Sequence, residues 1–508
     1  MTEIDDSRQL RWKRNEEMII QRTGGRVLRQ FRAALMAGTA LSLGVVTFNG
    51  PADAAGECGP LAPTVNCTDL SYTPGDGKGT LTNANGGIEY TPTPAQNPFI
   101  LNLGDGVNPT GVVAVDVPIV LQPGNGITIA DFTVLTPTDG VETDVIVNVN
   151  PMASISAEGD GVFVWTDGSA NDITINNSGS ITAGRVGINA VAGNPLNNPQ
   201  GGGNISITNN QLIQSTGNSI NAWSDGGDVV ITNNATLVST SGTGIAVVDP
   251  LTGLIASGGS AQVTNKGTIN AAEFGIGVLT DGAATVENSG SIVGGQGGIL
   301  AISVGDSAGV NHIGSITADN GPGILAIGAT GVDIDGDGTV TANNGPGVVG
   351  LAGGNVFIDT GIVNATGGSG VIGLSLGGNV DIDAGQTTAS NGLAGVVGVS
   401  LGGNVVVNSG ETEAENVLAA VAGVSLGGNV EVNANGKTSV TNGLVGVGGL
   451  SLGGNVVVNS GETEAENVLA AVAGVSLGGN VEVNANGKTS VTNGLVGVAG
   501  LSIGGNVV

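Results

Sequence analysis

The feature that most constrains the fold of this chain is a repeat of about 25 residues. Residues 402–452 and 453–503 form a tandem duplication with two changes, Gly448 to Ala499 and Leu452 to Ile503. Each unit divides into two halves that both open with Gly-Gly-Asn-Val. A unit this short cannot bury its own apolar face, so neighbouring units must stack on one another.

A degenerate form of the same unit runs far upstream. It recurs as INNSGSI (175–181), VTNKGTI (263–269) and VENSGSI (286–292), and most units are spaced by 23–26 residues, with two steps of 32 that mark insertions. A Gly-Ile or Gly-Val pair follows each turn by nine or ten residues. Fourteen turn positions are found: Ala153, Gly179, Gln211, Ala235, Gly267, Gly290, Gly314, Gly338, Gly361, Gly385, Gly410, Gly436, Gly461 and Gly487.

Composition decides which stacked fold this is. The chain has 93 Gly and only 2% aromatic residues, and its Gly, Asn, Thr, Ser and Val are poor helix formers. Short alternating runs such as VVVNSG have the two-residue period of strands. We therefore predict an all-β chain, a right-handed parallel β-helix (β-solenoid) of about 14 rungs. Gly and Asn should supply corners with positive φ, and stacked Asn side chains should form hydrogen-bonded ladders.

Three segments are predicted. Residues 1–54 read as a secretory signal peptide, with basic residues at 22–32, an apolar stretch at 33–48 and cleavage after Ala54; a membrane anchor is the alternative, and Met18 is a second candidate start. Residues 55–143, which lack the clean period, are the candidate N-terminal cap and first rungs. Residues 144–508 form the β-helix repeats, which we expect to be incomplete at the C-terminus because the chain stops in mid-rung.

The negative charge of the chain argues against polyanionic partners. The net charge is −29, and only Lys78, Arg185, Lys266, Lys437 and Lys488 follow Ala54. Nucleic acids and anionic membranes are bound through clustered Lys and Arg, so neither is expected as a partner. We expect contact with a membrane only through a translocator that lies beyond this sequence.

The two cysteines, Cys58 and Cys67, follow the proposed cleavage site closely. In an oxidising compartment they would close a small loop, so we predict a disulfide, with two free thiols as the alternative. Neither has the surroundings of a catalytic cysteine, since no His lies near them in sequence.

Candidate catalytic and metal-binding residues are few. Asp333, Asp335 and Asp337 match the start of a calcium loop, in which alternate carboxylates converge on a hard cation; a solvated acidic turn is the alternative. His312, the only histidine, occupies a rung corner. The repeated ETEAEN (411–416 and 462–467) should place its acids on one outward face of a strand. No serine-nucleophile signature with a His partner occurs, so we expect no enzyme, no catalytic residue and no cofactor besides a candidate calcium ion.

A leader followed by a Gly/Asn/Thr/Val-rich solenoid with units like V-x-N-x-G-x-I resembles the passenger region of bacterial autotransporters, the type V secreted proteins of Gram-negative bacteria. The resemblance implies an exported, rod-like, non-enzymatic passenger that is an adhesin or structural stalk at the cell surface or outer membrane, or is secreted. It also implies a C-terminal outer-membrane β-barrel as translocator, which we expect in a continuation past Val508. The partners would be a host or abiotic surface, or a second copy bound through the repeats. The alternative is a secreted carbohydrate-active β-helix enzyme of the polysaccharide lyase or hydrolase type.

Overall fold

The computed structural model describes most of the chain from the first cysteine onward. The described residues are 58, 61–67, 71–72, 88–90, 92, 94–104, 112–115, 125–129, 141–166, 171–193, 201–248 and 257–508. The predicted signal peptide therefore lies outside them. So do residues 194–200 and 249–256, where the two 32-residue steps of the repeat place insertions.

The described residues fold almost entirely into short strands, with one 3₁₀ helix at Pro94–Gln96. The strands of the first half are β1 (Thr64–Cys67), β2 (Ser71–Tyr72), β3 (Ile88–Tyr90), β4 (Phe99–Leu103), β5 (Val112–Val115), β6 (Ile127–Ile129), β7 (Val145–Val149), β8 (Ser154–Ala157), β9 (Val162–Thr166), β10 (Ile173–Asn177), β11 (Ser180–Ala183), β12 (Ile188–Ala192), β13 (Ile205–Asn209), β14 (Ile213–Ser215), β15 (Ile220–Ser224), β16 (Val229–Asn233), β17 (Leu237–Ser239), β18 (Ile245–Val247), β19 (Ala261–Asn265), β20 (Thr268–Ala271), β21 (Phe274–Thr280), β22 (Ala284–Asn288), β23 (Ser291–Gly294) and β24 (Gly297–Ser303).

The second half continues without a break in the description. Its strands are β25 (Ala308–His312), β26 (Ser315–Ala318), β27 (Ile324–Gly328), β28 (Gly331–Asp335), β29 (Thr339–Ala342), β30 (Val348–Ala352), β31 (Asn355–Thr366), β32 (Val371–Ser375), β33 (Val380–Ser390), β34 (Ala394–Ser400), β35 (Val405–Ser409), β36 (Thr412–Glu415), β37 (Ala419–Ser425), β38 (Val430–Ala434), β39 (Thr438–Thr441), β40 (Val445–Ser451), β41 (Val456–Ser460), β42 (Thr463–Glu466), β43 (Ala470–Ser476), β44 (Val481–Ala485), β45 (Thr489–Thr492) and β46 (Val496–Ser502).

The strands stack in parallel into two sheets that run along one solenoid. The small sheet has 16 strands, one from each coil, in the order β3-β6-β9 and onward to β46. The large sheet has 30 strands and takes the other strands of each coil, which merge into one long strand in β31 and in β33. The predicted β-helix is thus confirmed.

The coil count also follows the prediction. The fourteen coils expected in 144–508 run from β7 to β46. The strands β1 to β6, within 55–143, form two earlier coils whose strands pair in parallel with their successors. The described part of 55–143 therefore belongs to the solenoid, and a separate cap would lie outside the described residues.

Register places like residues directly over like. In the large sheet Val405 pairs with Val430, and Val430 pairs with Val456. Along many strands buried positions alternate with half-buried or exposed ones, as in Val405–Ser409. One buried apolar cluster extends from Val65 to Val481. Because every coil buries its apolar side chains against the coils above and below, the core needs few aromatic residues, and Tyr90 and Phe99 are the two in this cluster.

Inward-facing glycines keep this core thin in the C-terminal coils. Gly398, Gly423 and Gly449 occupy the same inward position of the small sheet. A Cβ on Gly398 would lie 2.9 Å from Val405 Cγ1 and 3.0 Å from Val407 Cγ2. Valines of the large sheet therefore fill the space that side chains of the small sheet would otherwise need, which explains why glycine occupies this column.

The Ser-Leu-Gly-Gly-Asn corner joins each coil to the previous one. Ser400 Oγ donates a hydrogen bond to the carbonyl of Gly378 at 2.7 Å and accepts one from the amide of Gly403 at 2.8 Å. The amide of Asn404 donates to Asn379 Oδ1 at 2.8 Å. The same bonds recur one coil later from Ser425 and in the coils after it.

A second corner uses asparagine in the left-handed conformation, as predicted. Its residues have φ of 54–61°, and their side chains form an exposed ladder in which Nδ2 of one coil donates to Oδ1 of the previous coil at 2.9–3.2 Å. These residues are Asn391, Asn416, Asn442, Asn467 and Asn493. Asparagine suits this place because it tolerates positive φ and is both donor and acceptor.

We expect Gly298→Ala to lower the stability of the solenoid. A Cβ at Gly298 would press on Ile316 Cγ2 and on the carbonyl oxygen of Gly323 in the next coil. Ser219 and Ala420 occupy the same column elsewhere, so the cost should lie near the low end of overpacking, about 1–2 kcal/mol. Chemical denaturation followed by circular dichroism measures it.

The matched control is Gly309→Ala in β25. There the nearest atom to a new Cβ is the Asp333 carbonyl oxygen at 3.9 Å, so stability should be unchanged or slightly higher. Equal losses in the two variants would contradict the packing explanation.

Candidate functional site

The three aspartates predicted to begin a calcium loop lie on the outside of the large sheet. Asp333 and Asp335 are exposed at alternate positions of β28, and Asp337 is exposed in the turn that follows. Asp335 lies beside Asp359 of the next coil, and Asp359 pairs with Asp383 of the coil after it. Asp335, Asp359 and Asp383 therefore form a column along the solenoid.

This aspartate column is electrostatically unfavourable. Partial burial, and then repulsion from Asp383, Asp335 and Asp337, raise the pKa of Asp359 above its usual value. Burial and the neighbouring Asp335 raise the pKa of Asp333 in the same way. Among the described side chains, those that shift the pKa values of Asp333 and Asp359 are all acidic. No positive charge there offsets the repulsion.

Within the described residues, no three His, Cys, Asp or Glu side chains come together in a way that could hold a metal ion. The calcium assignment for Asp333, Asp335 and Asp337 stays a prediction. What the structure adds is that Asp335 and Asp337 also lie near Asp359 of the next coil.

The ETEAEN segments lie outward on β36 and β42, but their acids do not form a continuous strip. Glu413 pairs with Ser439, which pairs with Glu464, so a hydroxyl separates the two carboxylates. Lys437 precedes the intervening strand and makes a 2.7 Å ion pair with Glu464. This hydrogen-bonded ion pair raises the pKa of Lys437.

A shallow depression of about 240 Å³ lies on the same face. Residues of three successive coils line it: Thr388, Ala389, Ser390, Glu413, Ala414, Glu415, Ser439 and Thr441. Its two carboxylates are exposed. This concavity brings two acids together, so it is a candidate place for carbohydrate chemistry.

His312 ends a buried asparagine ladder. The Nδ2 group of each member donates to Oδ1 of the next member at 2.7–2.8 Å, and the last amide, that of Asn288, lies 3.1 Å from His312 Nδ1. The ladder residues are Asn177, Asn209, Asn233, Asn265 and Asn288. His312 Nε2 lies 3.2 Å from the Thr339 carbonyl oxygen, which can only accept, so this nitrogen carries the proton and Nδ1 accepts from Asn288.

The environment of His312 therefore favours the neutral ring. Burial lowers the pKa of His312, although its backbone contacts at Thr339 and Asn288 partly oppose the shift. The predicted placement of His312 at a corner of the repeat is what the structure shows: it follows Asn288 in register. Both ring nitrogens of His312 are engaged inside the solenoid, by Asn288 and by the Thr339 carbonyl oxygen.

Arg185 is used in a structural contact. Its Nε lies 3.4 Å from Oδ1 of Asp160, a buried carboxylate that also accepts from the amide of Val186 at 3.2 Å and from Asn189 Nδ2 at 3.1 Å. The only arginine after residue 54 is thus engaged with a buried partner and does not line the depression.

Glu273 is the titratable residue that sequence reasoning missed. It sits between β20 and β21 with 5% of its surface exposed, and burial raises its pKa to about 7, opposed by a 3.5 Å hydrogen bond from Thr243 Oγ1. Nothing in the sequence distinguishes this glutamate, because its neighbours Ala272 and Phe274 are ordinary repeat residues.

The cysteines lie at the N-terminal end of the described coils. Cys58 and Cys67 form a disulfide with their Cα atoms 4.9 Å apart. The amide of Cys58 donates to the Tyr90 hydroxyl at 3.2 Å, and the Tyr90 ring packs 5.6 Å from that of Phe99. The bond therefore ties the lead-in to the first coils.

These observations define the protein as a parallel β-solenoid with acids on its large sheet and without a described metal cluster. Among the described residues, no helix is both long and apolar enough to cross a membrane. Comparison with protein-family profiles, with curated proteins and with solved structures found no match to this chain.

We expect Asp359→Asn to stabilise the solenoid at neutral pH. The folded-state pKa of Asp359 is raised, so the group costs stability once it ionises, and the cost grows as pH rises above the ordinary Asp value of about 4. Removing the charge should raise the free energy of unfolding by about 0.5–1 kcal/mol at pH 7.

The gain in the free energy of unfolding should vanish at a pH below the ordinary Asp pKa of about 4. Chemical denaturation of both proteins at pH 7 and at that lower pH measures it. Asp306→Asn, in a turn outside the column, is the control and should leave stability unchanged at both. A gain from Asp359→Asn that persists in acid would contradict the repulsion argument.

We expect His312→Asn to remove part of the acid sensitivity of folding. Because the folded-state pKa of His312 is lowered, its contribution is complete above the unfolded value of about 6.5 and is lost as pH falls below it. Asparagine continues the ladder and does not titrate.

Stability of the two proteins, measured from pH 8 to pH 5, should therefore diverge on the acid side, with the variant less sensitive. Since His312 is the only histidine, the difference between the curves isolates its titration. Parallel curves would show that the ring protonates without cost.

Proposed function

We propose that this chain is a non-enzymatic exported passenger of the autotransporter type, an adhesin or structural stalk displayed at the cell surface. The observation that carries the proposal is the uninterrupted stack of coils from β7 to β46, in which one cross-section repeats. Sixteen strands at the usual spacing give a rod of roughly 70 Å. Such a rod supports functions that depend on reach and on a repeated surface.

The polar surface supports the same proposal. The outward acids of the large sheet give the rod a strongly negative exterior, which favours solubility outside the cell. The ladders and corner hydrogen bonds satisfy polar groups coil by coil, so stability does not depend on a single compact core. The partner in this proposal is a host or abiotic surface.

The carbohydrate-active alternative depends on one observation, the depression that holds Glu413 and Glu415. Glycoside hydrolysis needs one carboxylic acid that stays protonated near neutral pH beside a second, ionised carboxylate. The described carboxyl group with a pKa of about 7 is Glu273, which is buried elsewhere in the solenoid. The geometry therefore favours the passenger.

Surface display is tested on intact cells of the native host. Added protease should degrade the chain while a periplasmic marker protein stays intact, and mass spectrometry of the exported chain should find an N-terminal peptide that begins at Ala55. A chain that resists protease until the cells are broken, or that keeps residues 1–54, would contradict export. Hydrolysis of a polysaccharide by the purified chain, abolished by Glu413→Gln, would instead support the enzyme.

A further inference from the structure

Charge is segregated between the two sheets of the solenoid. From β6 onward, the strands of the small sheet contain no Asp, Glu, Lys, Arg or His. The large sheet and its turns carry the acids, among them Asp333, Asp381, Glu413 and Glu431. In the coils from β32 to β43 this side of the rod is therefore uncharged, although the whole chain carries −29.

The outward side chains of the small sheet are not merely uncharged but aliphatic. In the coils from β32 to β43 one outward column is Leu374, Val399, Val424, Leu450 and Val475, stacked in register. The residue just after each strand is also an exposed leucine, 41–52% accessible: Leu376, Leu401, Leu426, Leu452 and Leu477.

A second exposed leucine ladder borders the other side of these strands. Leu393, Leu418, Leu444 and Leu469 are 47–60% accessible, and each is joined to the previous one by a backbone hydrogen bond of 2.9–3.0 Å. We call the surface between the two ladders, in the coils from β32 to β43, the apolar face. Its rim is Asn, Gly and Ser, without charge.

The apolar face has relief in its last three coils. Between the leucine ladder at Leu418 and the ridge at Val424 runs a column of small, half-buried residues, Ala422, Gly448 and Ala473, and the two earlier coils hold the larger Ile372 and Val397 in this column. A valley thus lies beside ridges of Val and Leu along the rod. A surface with the same coil spacing can place its ridge in this valley, and a second copy of this chain has that spacing by construction.

We propose that the apolar face is a self-association interface, on which a second copy of this chain packs face to face. Five coils at ~4.8 Å and a width of eight residues give roughly 600 Å² per copy, or about 1,200 Å² in total, which reaches the lower limit of specific protein interfaces. Ile302, Ile327 and Leu351 continue the outward column upstream and enlarge the area.

Charge favours a second copy over other occupants. With the apolar faces together, the acids of both chains point away from the contact, and no charged group has to be buried. The net negative charge of the chain disfavours an anionic lipid surface, and the face has no Lys or Arg rim to attract one. The inference is independent of export, because it concerns only the coils from β32 to β43.

The test is sedimentation velocity of the full chain over a wide concentration range, at low and high salt. We expect a concentration-dependent dimer that strengthens with salt, since salt screens the repulsion between two acidic chains. The double variant Leu401→Glu with Leu452→Glu should raise the dissociation constant at least ~100-fold, because two buried leucines are replaced by charges.

The control is Ile313→Glu with Ile362→Glu, two exposed isoleucines on the other sheet that are 63% and 40% accessible. It adds the same charge and should dimerise like the unaltered chain; circular dichroism checks that both variants fold. A chain that stays monomeric at all concentrations, or a control that dissociates as much as the leucine variant, would overturn the proposal. Binding of the monomer to phosphatidylcholine vesicles, lost in the leucine variant, would assign the face to lipid instead.

Discussion

The rest of this structure depends on the in-register parallel stacking of coils, which places each side chain over its own equivalent at ~4.8 Å. A residue type is therefore favoured where it can be its own partner. Asparagine meets this condition because its amide both donates and accepts, and it forms a buried ladder ending at His312, an exposed ladder at the corners and a further column through Asn408, Asn433 and Asn459. Valine and isoleucine meet it by dispersion and burial, and glycine meets it where a corner or thin core leaves no room.

Charged residues fail this condition, and the chain deals with them by alternation. Glu413 and Glu464 lie two coils apart with Ser439 between them, and Lys437 occupies the column between Glu411 and Glu462. Two coils separate like charges by ~10 Å, close to one screening length in physiological salt. This gives a physical reason for the duplicated unit to be two coils long: coils of one kind would bring the glutamates of ETEAEN face to face. Asp335, Asp359 and Asp383 are the exception, and their neighbours' charges raise the pKa of Asp359.

The fold was predictable because its signal is repeated. The turn positions from Ala153 to Gly487 mark fourteen coils, and the Gly-Asn corners and Asn ladders follow from what a stacked corner requires.

Side-chain surroundings that depend on which residues of neighbouring coils lie side by side were not predictable. The ETEAEN acids look continuous in sequence but are interrupted by the KTSVTN coil. The motif at Asp333 looks like a local loop in sequence, although Asp335 and Asp337 also face Asp359 of the next coil. Glu273 is one acid among many in the sequence, and only the three-dimensional coil buries it. The first rungs were expected within 55–143, but their strands could not be located because their spacing departs from the period.

The aliphatic surface of the small sheet is the feature that stacking does not explain. Inward positions must be apolar to fill the core, but Val399, Val424 and Leu450 point outward and fill no core. Ser, Thr or Asn could stack on their own equivalents at these positions equally well. The large sheet shows this, since its outward positions hold Thr388, Ser439 and Asn433. In a solenoid each coil contacts only its neighbours, so a substitution on one outer face leaves the others undisturbed and the faces are free to differ. An outer face that is aliphatic in coil after coil is therefore explained by something outside the chain that covers it, which is why we assign the contact to this face.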